Sequence, residues 1–410
     1  MLLYENKKAK LLSILKIGIN PFKKFVSTGE IKEELGFVKS RKILLQHVVN
    51  IIKSEDNFIL PIIGDVGIGK THLFWTLKNT LYYYNTIYIS LDTVYKKFFY
   101  NTYSEFIDAI GVEPLRSIIN HLCDEWGALD KIYGFFHVAD IEKVKKIAIQ
   151  KLENKFERDE KNTLIDVING IVTHQLDPFK KIEAEGWLLG ELMNVRELSR
   201  LKLKYDLRKG QAAYIMLKLL IENSKLGSVL FIDDFEKIIS IIKPKDNATE
   251  EEVFDPSWLY GQSQNPEEIT SQKIFQKIIK LQSIKGLHLI ITLKSDHSLE
   301  EIKNRFQELS KEKTIKFIEP IYIENFTEDD IYDFYLNNMK HFLENLGLTK
   351  LAKAEFEYFP LNKQILKTLY SRSDGNPREF IKLLIKIFND IIFSNDDINI
   401  ILGEYESEQL

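Results

Sequence analysis

Asn57-Phe-Ile-Leu-Pro-Ile-Ile-Gly64-Asp-Val-Gly67-Ile-Gly69-Lys70-Thr71-His72 is the stretch that decides the fold. Gly64, Gly69, Lys70 and Thr71 fit the spacing G-x-x-x-x-G-K-[ST], a phosphate-binding loop signature. The apolar run Phe58 to Ile63 enters the loop like a buried strand, and a helical pattern from His72 to Leu81 leaves it. Strand, Gly-rich loop and helix together are the context in which the spacing carries meaning. Gly64, Gly67 and Gly69 lack a Cβ, so the backbone can curl and aim its N–H groups at phosphate oxygens. The helix N-terminus behind them adds positive partial charge. Gly64, Asp65, Val66, Gly67, Ile68, Gly69, Lys70, Thr71 and His72 are therefore the expected nucleotide contacts. Lys70 is expected to reach the β- and γ-phosphates and the Thr71 hydroxyl to ligate Mg²⁺.

Outward from the loop, four more stretches read as strands. They are Thr86 to Leu91, Ser228 to Ile232, Leu287 to Leu293 and Thr314 to Ile318, the last ended by Pro320. Ser228–Ile232 runs into Asp233-Asp234-Phe235-Glu236, an apolar strand followed by acids, the Walker B pattern. Asp233 is expected to hold Mg²⁺ through water. Asp234 and Glu236 are both candidates for the acid that aligns an attacking water. Between the second strand and this one lies a long, mostly helical stretch with little strand pattern. Residues 102–122, Ile141–Phe156, Thr163–Val172 and Glu183–Asp206 carry helical periodicity, so an insertion of about 100–210 is expected. Its segment Arg196–Lys209 is locally basic, with Arg200, Lys202, Lys204 and Arg208 inside it. A phosphate-backbone contact and a solvated helix face both fit that pattern. Pro244 to Gln272, polar and acidic around Trp258 and Tyr260, reads as a loop. From Thr327, an N-cap with Asp330 three residues on, the chain reads all-helical over 331–347, 362–372 and 377–394, followed by a short acidic tail.

Composition bounds the rest. The 410 residues are 44% hydrophobic and 28% charged, which suits a folded protein with a sizeable core. A net charge of −4 supplies no global basic field for nucleic acid. One cysteine, Cys123, excludes an internal disulfide framework and suits a reducing cytoplasm. No secretory signal or membrane-spanning run is read in the sequence.

Walker A, Walker B and two arginine motifs occur in an order that resembles the AAA+ P-loop ATPases, over roughly residues 35–395 apart from the insertion. Within them the chain looks closest to the origin-recognition, TnsC-like and STAND group. Phe37-Val38-Lys39-Ser40-Arg41 is similar to the "F-V-G-R-E" stretch that lies against adenine in many AAA+ proteins, though Lys39 and Ser40 replace the Gly. The resemblance thus adds Phe37, Val38 and Arg41 to the expected nucleotide contacts. It places sensor 1 after the fourth strand, at Lys294 or its neighbour Ser295. Leu299-Glu-Glu-Ile-Lys-Asn-Arg305-Phe306 is similar to the segment that carries a trans-acting arginine finger. Gly375-Asn-Pro-Arg378 is similar to sensor 2, an arginine that reports the γ-phosphate to the lid. Unlike the archaeal initiators, the sequence shows no winged helix after the lid. A looser resemblance joins Gly186-Trp-Leu-Leu-Gly-Glu191 and the stretch up to the Walker B strand to the ATP-binding AAA+ proteins of BREX phage-defence loci.

The resemblance implies an α/β fold with a parallel five-stranded sheet in the order 5-1-4-3-2, a large helical insertion and a C-terminal helical lid. The expected layout is a helical segment over 1–34, a nucleotide-binding core over 35–326 and a lid over 327–410. It further implies an ATP hydrolase using ATP and Mg²⁺ and a homo-oligomer in which Arg305 acts in trans. DNA and a protein docked on the insertion are candidate partners, in phage defence, transposition or replication. A STAND-like signalling switch that acts through protein partners without DNA is the alternative.

Overall fold

The computed structural model describes residues 2–23, 38–91, 97–128, 132–133, 136–137, 140–240, 266–310, 315–348 and 358–407. The chain divides into two compact units. One comprises residues 1–54, 63–80 and 322–410, and the other residues 55–62 and 81–321.

The second unit is built on a five-stranded parallel sheet: β1 (Ile59–Ile63), β2 (Tyr84–Ser90), β3 (Gly227–Asp233), β4 (Leu287–Leu293) and β5 (Ile321–Tyr322). Ile63 and Tyr322, the ends of β1 and β5, are counted with the first unit. From one edge the order is β2-β3-β4-β1-β5, and from the other it runs 5-1-4-3-2. β1 and β4 are buried at every residue, as a sheet covered on both faces requires. In register, Tyr88 lies opposite Phe231 and Ser90 opposite Asp233, while Ile232 on β3 lies opposite Ile291 on β4.

The fifth strand departs from expectation. Phe317 makes only an isolated bridge to Ile59, and the paired strand lies beyond Pro320, at Ile321–Tyr322. Proline has no N–H for a ladder, so the pairing breaks there and resumes after it. Thr314, where the sequence starts this strand, lies outside the described residues.

The insertion is helical, with breaks at two glycines. The helical stretch over 102–122 is two helices, Phe98–Ile110 and Val112–Glu125, which meet at Gly111 with φ +79°. That backbone region is strained for any residue with a Cβ. The helix expected over Glu183–Asp206 is likewise two, Lys181–Leu188 and Val195–Leu201. Gly190 turns the chain at φ +79°, and Asn194 caps the second piece in a capping box with Glu197. A two-residue antiparallel ladder, Ile132–Tyr133 with Phe136–His137, adds strand structure that the sequence does not signal. Of the expected loop over Pro244–Gln272, Trp258 and Tyr260 lie outside the described residues. From Pro266 onward the segment is helix, Pro266–Gln282, because Ile274, Phe275, Ile278 and Leu281 bury one side of it.

The first unit contains the helices Lys39–Ser54 and Lys70–Thr80 and the helices Glu328–Asn345, Lys363–Ser373 and Pro377–Phe393. The expected acidic tail is a further helix, Ile398–Ser407, with Ile401 and Tyr405 buried. The N-terminal segment packs into this lid. Leu11, Leu15 and Phe22 join the cluster of Tyr335, Leu384 and Phe388, and the Phe22 ring lies 5.0 Å from that of Phe388. No helix among the described residues is long and apolar enough to cross a membrane.

Candidate functional site

In the first unit, the loop Gly64–Gly69 joins β1 to the helix Lys70–Thr80. Gly67 and Gly69 hold φ of +84° and +106°. The Lys70 ammonium donates to the carbonyls of Gly64 at 2.5 Å and Asp65 at 3.0 Å, so the lysine closes its own loop. Asp65 and Val66 are exposed and Ile68 is buried. Thr71 and His72 begin the helix, half-buried. A Cβ on Gly64 would come within 2.9 Å of the Ile323 carbonyl, so the loop also fits closely against the chain leading to the lid.

The lid touches the same loop. Asn376 caps the helix Pro377–Phe393, accepting from the N–H groups of Arg378 and Glu379, with Pro377 at the first helical position. The Asn376 side chain also donates to the Val66 carbonyl at 3.0 Å, and the Arg378 N–H donates to the Gly67 carbonyl at 3.2 Å. The Arg378 side chain lies across Gly67, its Cβ 2.8 Å from where a Cβ on that glycine would sit.

Arg41 buttresses the loop from another side. Its guanidinium donates to the carbonyls of Glu324 at 2.6 Å and Ile68 at 3.4 Å, and sits over the Phe326 ring. Burial lowers its pKa from the ordinary guanidinium value, opposed by Asp330 and Glu324. Val38 is fully buried among the lid residues, while Phe37 lies outside the described residues.

In the second unit, the acids follow β3. Asp233 is 4% exposed and accepts from the Tyr88 hydroxyl at 2.8 Å and the Thr292 hydroxyl at 2.5 Å. Asp234 adopts φ +54°, a region that Asp tolerates better than most residues. Its N–H donates to Asp233 Oδ1 and Thr292 Oγ1, both at 3.0 Å, and its carboxylate pairs with Lys237 at 3.0 Å. Glu236 differs. Its side chain is 10% exposed and, among the described residues, neither carboxylate oxygen accepts a hydrogen bond, though the Lys294 ammonium faces one of them at 3.4 Å. The structure thus brings together Glu236 and Lys294, two residues singled out separately in the sequence. Ser295 instead caps its own helix, accepting from Ser298 N–H. Arg305, on the helix Asp296–Ser310, pairs with Glu308 at 3.1 Å.

The basic stretch of the insertion is partly neutralised. Arg200 pairs with Glu183 at 2.6 Å, and Lys209 lies 3.4 Å above the Tyr205 ring, while Arg196, Lys202 and Lys204 are exposed. Sequence reasoning missed Tyr88 and Thr292. No signal singled them out: Thr86–Leu91 also carries the hydroxyls of Thr86 and Ser90, and Leu287–Leu293 also carries His288.

The donor set suits a nucleotide with its cation. The loop offers a cradle that only glycine backbone permits at φ +84° and +106°, with an ammonium and a hydroxyl at its end. Among the described residues, no three His, Cys, Asp or Glu side chains gather as a metal cage. A hard cation here would draw on one or two protein oxygens, phosphates and water, the usual manner of Mg²⁺. No family model matches the chain, and a search of curated proteins found no match.

Proposed function

We propose that this chain is a Mg²⁺-dependent ATP hydrolase of the AAA+ kind, in which a helical lid reads the phosphate loop. The observation that carries the reading is the lid contact. Asn376 and Arg378, from the segment that resembles sensor 2, donate to the carbonyls of Val66 and Gly67 inside the Gly-rich signature. Two motifs more than 300 positions apart in sequence, each suggestive by itself, meet in one unit. The strand order supports the same reading, since AAA+ proteins carry 5-1-4-3-2.

In this reading Gly64 to Thr71 grip the phosphates, and Lys70 and Thr71 serve the terminal phosphates and the cation. Mg²⁺, when bound, neutralises charge on the phosphates. Asp233 would serve the cation through water. Glu236 is the better candidate than Asp234 for orienting the attacking water, because Lys237 hydrogen-bonds the Asp234 carboxylate at 3.0 Å, while both Glu236 oxygens lack a hydrogen bond among the described residues. Lys294 takes the sensor 1 position and Arg305 the finger of a neighbouring copy in a homo-oligomer. Lys70→Ala tests the reading. It should abolish binding of a fluorescent ATP analogue in a fluorescence titration, and unchanged affinity would overturn the site.

For the work that ATP drives, remodelling or loading on DNA is the first reading. The exposed Arg196, Lys202 and Lys204 support it. The occupied Asp234 carboxylate favours the second, a switch whose assembly follows ATP and acts on protein partners. Anisotropy titrations with DNA, with and without ATP, separate the two: salt-sensitive binding that requires ATP supports the loader.

A further inference from the structure

Asp233 is held from both sides by hydroxyl groups that belong to no recognised motif. β3 lies between β2 and β4, and the register puts Ser90 of β2 opposite Asp233. Alternate residues share a face of a strand, so Tyr88, two positions earlier, projects on the same side. Its ring lies along Phe231, centroids 6.1 Å apart, and its hydroxyl reaches forward to Asp233 Oδ2 at 2.8 Å. From β4, Ile291 opposes Ile232, so the next residue, Thr292, falls beside Asp233. The Thr292 hydroxyl donates to Asp233 Oδ1 at 2.5 Å. The same oxygen accepts from the Asp234 N–H at 3.0 Å, and the Thr292 carbonyl accepts from the Phe235 N–H at 3.1 Å. Thr292 is fully buried.

One threonine therefore does two things. It fixes one carboxylate oxygen of Asp233, and it pins the next two peptide units in the turn that places Asp234 at φ +54°. Tyr88 fixes the other oxygen. With both oxygens held, the carboxylate cannot rotate about its terminal bond, a torsion that is otherwise broad and soft. A carboxylate that must present a set lone-pair direction to a hydrated cation gains from such immobility.

We infer that Tyr88 and Thr292 are positioning residues that orient Asp233 toward a divalent cation. The inference rests on the proposed nucleotide site and names the two side chains that set its cation response. Neither hydroxyl is among the expected nucleotide contacts. Their removal acts on the metal response and leaves metal-free nucleotide binding as it was.

The test uses the full chain and three readouts: affinity for a fluorescent ATP analogue in EDTA, the Mg²⁺ concentration that half-maximally tightens that binding, and the thermal midpoint. Tyr88→Phe and Thr292→Val should each raise the half-maximal Mg²⁺ concentration about 10-fold with the EDTA affinity unchanged. Thr292→Ser, which keeps the hydroxyl, should restore the wild-type response even if the valine lowers the midpoint. Asp233→Asn is the reference for the reading itself. If it loses the Mg²⁺ response while Tyr88→Phe and Thr292→Val titrate like wild type, the positioning role is overturned and the site stands. If Asp233→Asn responds like wild type, or the wild type shows no Mg²⁺ response, the site assignment falls and the inference with it. A parallel loss of EDTA affinity and Mg²⁺ response in the hydroxyl variants would mark a general structural role and also overturn it.

Discussion

Gly67→Ala is the sharpest perturbation of the contact between loop and lid. Gly67 holds φ +84°, and a methyl group there would lie 2.8 Å from Arg378 Cβ and 2.9 Å from Asn376 Oδ1. Neither neighbour yields easily. Asn376 Oδ1 caps the lid helix through the N–H groups of Arg378 at 3.1 Å and Glu379 at 3.4 Å, and Cβ is fixed to the backbone. The lid helix must back away, which breaks the bonds from Asn376 to Val66 and from Arg378 to Gly67. Backbone strain at positive φ costs about 1–2 kcal/mol, and each lost hydrogen bond about 1 kcal/mol, so the sum is about 3–4 kcal/mol. Gly347 supplies the control within the same unit, with φ +72° and nothing among the described residues within 4 Å of a would-be Cβ. Gly347→Ala carries the strain alone, about 1–2 kcal/mol. At about 2–4 °C per kcal/mol, Gly67→Ala should lower the thermal midpoint roughly twice as far as Gly347→Ala. Hydrogen exchange supplies the local readout, since the Arg378 amide should lose protection only in Gly67→Ala. Equal midpoints for the two variants, with Arg378 as protected as in wild type, would refute the contact.

The other predictions address the insertion and the acids. Gly170→Ala puts a methyl 2.4 Å from Cζ3 of the fully buried Trp187, whose Nε1 is tied to the Tyr205 carbonyl at 3.1 Å. Overpacking of about 1–3 kcal/mol should exceed the roughly 1 kcal/mol gained in helix propensity; a rise in the urea midpoint would contradict this. Burial, more than any neighbouring charge, lowers the pKa of His174 below 6.5. Glu185 opposes the shift, while Lys181 and Arg116 add to it. The unfolded chain therefore binds the proton more readily, so stability is full above pH 6.5 and falls as the pH drops toward the lowered folded value. Urea midpoints at pH 7.5 and pH 5.5 should thus diverge more in the wild type than in His174→Gln, and parallel slopes would discount the histidine. Glu236→Gln should cut ATP turnover at least about 100-fold with ATP affinity kept, and Asp234→Asn much less; the reverse ranking would reassign the water-orienting acid.

Much of this arrangement was legible in the sequence because short-range chemistry writes it there. Strand, glycines and helix around Lys70 are local features, as is the Thr327–Asp330 capping box, which forms as expected. So is the start of the helix at Asn376-Pro377. What stayed hidden depends on single residues that act against a periodic background, or on partners distant in sequence. Gly190 splits a helical stretch whose apolar spacing continues through the break. Pro320 moves a strand by removing one donor. The first turns of the helix Pro266–Gln282 lie in a polar stretch that reads as a loop, ahead of the apolar positions from Ile274 that mark its body. Tyr88 and Thr292 are ordinary strand residues until register sets them on either side of Asp233.

The lid contact also gives the loop chemistry a direction. A peptide unit presents its C=O and its N–H on opposite sides, so a loop that turns N–H groups inward must turn carbonyls outward. The Val66 carbonyl and the Gly67 N–H belong to one peptide unit, and the Gly67 carbonyl and the Ile68 N–H to the next. Asn376 and Arg378 donate to those two carbonyls. A donor at one end of a peptide unit polarises the donor at its other end, by about 10–30% per bond. The lid therefore strengthens the Gly67 and Ile68 N–H groups without approaching whatever they bind. By reciprocity, an anion on those N–H groups strengthens the carbonyls as acceptors and tightens the lid. Coupling of this kind needs no movement of Arg378 across the site. It needs only that Asn376 and the first turn of its helix stay where the cap and the proline put them, which is why Gly67→Ala, and not a change at the arginine's charge, is the variant that separates docking from sensing.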